Sequence, residues 1–413
     1  MNLPKLPSTW RTQRVADLIA KFDAGVSVNG GDRPATEDEW GVLKISAVTE
    51  GMFRPEENKV IDGIERDRAN LNPKRGRLIM SRANTPALVG ASAYIHTDYP
   101  NLFLSDKLWQ FEPREDVAFS MRWLGHLLSS PAYRKRMGEV ATGSSQSMKN
   151  ISQESVLQMM LPVPPLEEQC RIAQLLGEWE SAIEKTEQLI AAKETSQRGW
   201  MQKLVMDRLF HEHRLSEFVR RVYRKNTAGN DHPLTISGRD GLISQSHYFD
   251  KRIAAEITEH YTLLKRGEFA YNRSYSARYP YGAIKRLDAY DEGIVSTLYL
   301  GFGLNPEAAL LSDYLIQFCE VGGFNHQIHK VAEEGARNHG LLNVAAHDFF
   351  AMKLPVPPIE EQLRVVAILG DAGHELTLLR KFLDQLRQQK RGLMQKLLTG
   401  QWRVPVESKE VAA

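Results

Sequence analysis

The sequence predicts an α+β protein with an internal pseudo-twofold repeat, two similar globular domains joined by two long helices that form an antiparallel coiled coil. The first observation behind this is an echo with one change in each segment. Leu161-Pro-Val-Pro-Pro-Leu-Glu-Glu-Gln169 returns as Leu354-Pro-Val-Pro-Pro-Ile-Glu-Glu-Gln362, and Arg198-Gly-Trp-Met-Gln-Lys-Leu204 returns as Arg391-Gly-Leu-Met-Gln-Lys-Leu397. Both return after 193 residues (354 − 161 and 397 − 204), so the stretch between them keeps its length while its side chains change. The second is a weaker echo upstream, in which Leu43–Ser46, Arg75, Gly76, Arg82, Ser105 and Phe111 match Leu234–Ser237, Arg266, Gly267, Arg273, Ser296 and Phe302 at an offset of 191 (234 − 43). The third is the apolar period of about 3.5 that follows each Pro-Pro pair. A repeat this long marks two domain-sized units rather than a solenoid.

The elements follow in chain order. Residues 1–160 form the first domain, 161–208 a central spacer helix, 209–353 the second domain, 354–398 a C-terminal spacer helix and 399–413 a tail. In the domains, Val42–Ser46, Arg77–Met80 and Gly293–Leu300 read as strands bounded by Gly and Asp turns, and Phe119–Leu128 and Ser312–Cys319 as helices. Each Pro-Pro pair bars helix before it and suits a helix start, and Glu167, Glu168, Glu360 and Glu361 place negative charge on the first turn. The second spacer carries a seam of Leu369, Ala372, Leu376, Leu379, Leu383, Leu386, Lys390, Leu393 and Leu397. The first carries Leu176, Trp179, Ile183, Thr186, Ile190, Lys193, Gln197, Trp200 and Leu204, a poorer stripe with Lys193 and Gln197 as polar interruptions. Neither helix can bury its stripe alone, and the domain between them returns the chain from the far end, so each is expected to pack antiparallel on the other.

Composition sets bounds on function. The 413 residues carry a net charge of +2, with 42% hydrophobic and 25% charged residues, as in an ordinary globular protein. Bulk charge thus gives no vote for nucleic acid, and any basic surface is local. Cys170 and Cys319 are the sole cysteines, which excludes a disulfide framework and suits a reducing cytoplasm. No signal-like or membrane-spanning apolar run occurs, so a cytoplasmic protein without membrane contact is expected.

No catalytic or metal signature stands out. The phosphate-binding Gly-x-x-x-x-Gly-Lys-Ser/Thr loop, the Asn/Asp-Pro-Pro-Tyr/Phe element, Cys-x-x-Cys and His-Glu-x-x-His are all missing, and the doublets His211/His213 and His326/His329 lack further ligands nearby. What remains is a set of polar, basic loops at matching places in the two copies. In the first domain these supply Arg82, Asn84, Arg134, Lys135, Ser144, Gln146 and Lys149; in the second, Asn272, Arg273, Tyr275, Arg278, Arg337, Asn338 and His339. Arg, Asn and Gln make bidentate contacts to guanine and adenine edges, and Lys and Ser position phosphates, so these residues are the candidates for contact with double-stranded DNA.

The doubled Leu-Pro-x-Pro-Pro-Leu/Ile-x-Glu-Gln motif, each copy followed by a long helix ending near Met-Gln-Lys-Leu, resembles the DNA specificity subunit of type I restriction-modification systems over essentially the whole chain. The resemblance implies two target recognition domains, each reading half of a split site whose spacer is set by the helices. It implies two methyltransferase subunits as partners, with S-adenosylmethionine held there and no cofactor in this chain, and a core on which restriction or translocase subunits can dock. The chain itself would be non-catalytic. Two other readings of the residues stand beside this one: an enzyme acting on DNA by itself, and a coiled-coil adaptor for proteins or sugars.

Overall fold

The computed structural model describes residues 6–49, 51–143, 148–206, 210–237, 241–248, 258–274, 276, 279–334 and 342–405. The chain divides into two compact units, one made of Met1–Glu187 with Phe382–Ala413 and the other of Gln188–Lys381.

The first unit runs through strands β1 (Arg11–Arg14), β2 (Ile19–Ala24), β3 (Gly41–Leu43), β4 (Asn58–Val60), β5 (Leu78–Ser81), β6 (Ala83–Asn84), β7 (Ser92–Tyr94), β8 (Leu102–Phe103) and β9 (Leu108–Pro113). Helices α1 (Met121–Ser129) and α2 (Pro131–Val140), strand β10 (Lys149–Asn150), helix α3 (Gln153–Leu157) and strand β11 (Met160–Val163) follow, and then the long helix α4 (Leu166–Val205) begins. The central sheet is antiparallel in the order β2-β9-β5-β7, while β1 pairs with β11 and so closes the unit at the Pro-Pro motif. Leu78, Ile79 and Met80 of β5 are all fully buried because both sheet faces are covered. Leu78 and Met80 pack with Phe22, Phe111 and the α1 residues Trp123, Leu124, Leu127 and Leu128, whereas Ile79 joins Leu43, Val48, Ala93 and Ile95 on the other face. The α1 start is fixed by Ser120, whose hydroxyl accepts the Trp123 N–H (3.3 Å), and α2 opens with Pro131 in its first turn, where the missing N–H costs nothing.

The second unit repeats this plan. Its strands are β12 (Glu212–Arg214), β13 (Val219–Arg221), β14 (Leu234–Ser237), β15 (Gly241–Ser244), β16 (Thr262–Lys265), β17 (Phe269–Asn272), β18 (Ala283–Arg286), β19 (Glu292–Val295) and β20 (Tyr299–Leu304), with the short helix α5 (Gln245–Tyr248) after β15. Then come α6 (Ser312–Glu320), α7 (Asn325–Val331), β21 (Glu333–Glu334), β22 (Leu342–Asn343), α8 (Ala346–Ala351), β23 (Lys353–Pro355) and the second long helix, α9 (Ile359–Leu397). The sheet order β13-β20-β17-β18 matches β2-β9-β5-β7, and the β12–β23 pair matches β1–β11. Even the turn after the first strand is reused: the Arg14 N–H binds Asp17 and the Arg214 N–H binds Glu217 (2.8 and 2.9 Å). The core differs in content, being rich in rings. Tyr271 stacks on Phe349 at 4.8 Å, beside Phe269, Phe302, Tyr314, Phe318 and Phe324.

The α+β class and the two like domains are therefore as expected from sequence, with two local corrections. Gly293–Leu300 is not one strand, because a turn at Ser296, where the Tyr299 N–H bonds back to the Ser296 carbonyl (3.0 Å), separates β19 from β20. Val42–Ser46 is strand only as far as Leu43 and then tightens into a 3₁₀ turn over Ile45–Val48.

The doubled motif has a structural reason. Gln169 is buried, takes the Ser120 N–H on its carbonyl oxygen (2.8 Å) and gives its amide to Pro164 O (2.9 Å). Gln362 does the same in the second unit with Leu311 N, Ala309 O and Pro357 O (2.8, 3.0 and 2.8 Å). Each Gln thus ties the first turn of a long helix to the segment that enters α1 or α6, satisfying backbone groups that burial would otherwise strand. Glu168, also buried, receives Trp10 Nε1 (3.0 Å) and the Arg403 guanidinium (2.6 and 2.9 Å), so the N-terminal segment and the tail meet on α4.

Within each unit the two long helices lie antiparallel. In the first, Lys390 donates to Glu180 (2.9 Å) and Arg387 to Glu187 (2.6 Å); in the second, Arg380 donates to Glu194 (2.5 Å) and Lys193 to Glu375 (3.0 Å). Leu176, Ile183, Ile190, Leu369, Leu376, Leu383 and Leu397 are buried, and Leu204, Leu379, Leu386 and Leu393 are half-buried. Lys193 and Lys390, the cationic interruptions in the stripe, are both taken up by these ion pairs, whereas Trp200 is exposed.

Candidate nucleic-acid interface

Among the described residues, one end of each central sheet holds Arg82 with Asn84 and Arg273 with Asn272. In the first unit β5 ends at Ser81, Arg82 follows, and β6 pairs antiparallel with β10, setting Asn84 opposite Lys149 and Ala83 opposite Asn150. Thr142 and Asn150 bridge the base of the intervening loop, so Arg82, Asn84 and Lys149 are brought together. Ser144 and Gln146 lie outside the described residues. In the second unit Asn272 is the last residue of β17, Arg273 follows, and the Leu342 N–H binds the Arg273 carbonyl (2.9 Å) just as the Ile151 N–H binds that of Arg82 (2.9 Å). Tyr275, Arg278, Arg337, Asn338 and His339 lie outside the described residues.

The polar groups at this end are engaged with loop backbone. Arg82 donates through Nε to Asp106 O (2.7 Å), with the Asp106 carboxylate 3.6 Å from its terminal nitrogen. Arg273 donates to Leu298 O (3.1 Å) and Val344 O (3.3 Å). The matched arginines therefore pin the loop before β9 or β20, and Arg273 also pins the segment after β22. Asn84 is buried and accepts the Thr85 N–H (2.8 Å), Asn272 accepts the Ser274 N–H (3.0 Å), and Lys149 donates to Gly143 O (2.7 Å).

Arg134 and Lys135, two of the candidates for DNA contact, sit on α2 and point in different directions. Arg134 donates to Val89 O and Ala87 O (3.0 Å each), and burial lowers its pKa to about 10. It fastens the 87–89 segment from inside. Lys135 points to solvent, with Glu139 at 4.0 Å. Sequence can identify an arginine beside a loop; whether the guanidinium turns to carbonyls or to solvent depends on chain brought in from elsewhere in the fold.

A further basic ribbon is absent from the candidates drawn from sequence. Arg220-Arg221-Val-Tyr-Arg-Lys225 holds four cations in six residues along β13, an edge strand of its sheet, and the stretch that follows it. Arg220 and Arg221 are exposed, and the Arg221 guanidinium lies 4.7 Å from the ring centroid of Tyr223, which is 70% exposed. Arg224 is neutralised by Glu268 (2.7 Å), and Lys225 donates to His260 O (3.0 Å). The cation density itself was the available signal.

Among the described residues no group of three or more His, Cys, Asp or Glu side chains is placed to hold a metal ion, and no helix is long and apolar enough to cross a membrane.

Comparison with known proteins bears on this arrangement. Residues 7–193 match the model of the type I restriction modification DNA specificity domain. That part of the chain, from the first strands into α4, is similar to a type I restriction modification DNA specificity domain. A relative, the type I restriction enzyme EcoEI specificity subunit of Escherichia coli, is 29% identical over 169 residues, 41% of this chain but only 28% of that protein's length. The crystal structure of the type I restriction-modification system S subunit from M. genitalium shares the fold across 96% of this chain and 98% of its own, with a TM-score of 0.53 at 13% identity. A chain from a structure describing complex assembly and conformational transition of the type I R-M system does so across 96% and 100%, with a TM-score of 0.54 at 16% identity. The specificity-domain match ends inside α4; the second unit's globular part lies beyond it and repeats the topology of the first.

Proposed function

We propose that this chain is the DNA-recognition subunit of a type I restriction-modification enzyme, reading a bipartite double-stranded site with a fixed unread spacer. In this reading it brings two methyltransferase subunits, and restriction or translocase subunits where the system has them, to that site in the cytoplasm. The observation that carries it is the duplication: two units share one strand order, while the sequences that follow the matched Arg82 and Arg273 differ. One framework with two surfaces suits the reading of two different half-sequences. The chain acts without catalysis of its own, and S-adenosylmethionine belongs to the methyltransferase partner. Arg82 and Arg273 shape the reading loops by holding loop carbonyls, while Lys135, Arg220 and Arg221 supply charge toward phosphates.

The test is a methyladenine map of the host genome with and without the gene. Loss of methylation at one split motif of constant spacing is the expected result. An unchanged map, in a host where the partner methyltransferase is expressed and co-purifies with this chain, would overturn the reading.

A further inference from the structure

The ion pairs between the long helices obey a pattern that the apolar seam does not. Under the repeat offset of 193 (387 − 194 and 380 − 187), Glu194 of α4 corresponds to Arg387 of α9, and Glu187 to Arg380. At these two matched positions α4 therefore carries Glu and Glu where α9 carries Arg and Arg. In the folded chain the signs are complementary: Glu187 meets Arg387 at 2.6 Å and Glu194 meets Arg380 at 2.5 Å.

Pairing a helix with a second copy of itself in the same antiparallel register reverses this. On α4 against α4, Glu187 would face Glu194; on α9 against α9, Arg380 would face Arg387. The other two pairs also disappear, since Glu180 would face Gln197 and Lys193 would face Ala182 on α4, while Lys390 would face Gly373 and Glu375 would face Leu386 on α9. At four of its positions the stripe gives no such discrimination, because Leu176/Leu369, Ile183/Leu376, Ile190/Leu383 and Leu204/Leu397 are apolar in both copies. A duplicated chain with two similar seams is open to exchange with another copy, and side charges are the usual means of refusing it.

We infer that Glu187, Glu194, Arg380 and Arg387 form a partner code: each long helix accepts a helix of opposite charge and rejects a second copy of itself. The pairs are partly exposed, so each contributes modestly and is screened by salt, and selectivity comes from their sum.

The code can be erased without removing the internal ion pairs. In the full chain carrying E194R and R380E, Glu187 still faces Arg387 and the two exchanged charges still face each other, yet each helix becomes complementary to its own copy. The swap is made at this pair because Glu187 also has Arg54 at 3.7 Å. Two differently tagged full chains are unfolded together, refolded at low salt at the highest soluble concentration, and passed through both affinity steps in turn. The wild type is expected to give background levels of mixed species, the E194R/R380E chain about tenfold more, and the fully inverted E187R/E194R/R380E/R387E chain, which repels itself again, background once more. Refolding in 1 M salt should abolish the difference. Equal mixed fractions for the wild type and the swapped chain would overturn the inference. If E194R/R380E does not regain a wild-type melting profile, E187R/R387E makes the same test at the other pair.

Discussion

Glu180 joins α1, α4 and α9 in the first unit. Its carboxylate lies 3.3 Å from His126 Nδ1 and accepts from Lys390 (2.9 Å), with both members of the Lys390 pair 16% exposed. Burial alone would push its pKa up, but His126 and Lys390 outweigh it and hold the group down at about 2. A carboxylate depressed in the folded state stabilises fully above its ordinary value near 4.5 and loses that contribution as pH falls through about 2, and a shift of this size corresponds to about 3 kcal/mol. Glu180→Gln is therefore expected to weaken the first unit by about 2–3 kcal/mol at pH 7, by roughly half as much at pH 3, and by almost nothing below about pH 2. Denaturant unfolding of both proteins across that range measures this, and a deficit that stays constant with pH would show that the charge is not responsible. Little of it was legible beforehand. Sequence places Lys390 on the seam as a flaw in the stripe, but His126 and Glu180 meet only because α1 folds back onto α4.

At the scale of elements, the helices were the most legible part and the loops at the sheet ends the least. A period of 3.5 over roughly 40 residues can be satisfied in few ways, and the Pro-Pro-x-Glu-Glu-Gln start is fixed by local backbone needs that Gln169 and Gln362 meet in the same manner. Strand ends in the domains depend on turns made with distant neighbours, which is why the residue pattern runs β19 and β20 together and why Arg82, Arg134 and Arg273 gave no hint of their carbonyl partners. The edge strand β13 carries a prediction of its own. Arg220 and Arg221 are exposed on it, and a strand edge with two such guanidinium groups and Tyr223 beside one of them suits phosphate contact, which carries no sequence information. Replacing both with Ala in the assembled complex is expected to reduce the salt dependence of duplex binding by about 0.9 in log–log slope for each phosphate no longer neutralised. The methylated motif should stay the same. Affinity titrations at several salt concentrations test this, and an unaltered slope would remove the ribbon from the interface.

For the whole molecule, the duplication was legible because it is written in both residues and lengths, and it converts helix length into a statement about DNA. Helix α4 is unbroken for 40 residues and α9 for 39. If these helices set the unread spacer, lengthening both together should lengthen the spacer and leave each half-sequence alone. Seven residues inserted after Glu187 and seven after Leu386 keep the phase of the seam, since seven is two turns of the 3.5 repeat. They add about 10 Å of helix, close to three base pairs at roughly 3.4 Å each. The expected methylome shows the same two half-sequences separated by about three more base pairs, whereas a seven-residue insertion in one helix alone breaks the pairing and abolishes methylation. A five-residue insertion in both helices turns the seam through about 140° and should fail likewise. A doubly lengthened chain that methylates at the original spacing would mean that the half-sites are positioned by something other than the helices, and the ruler would have to be sought in the partner subunits.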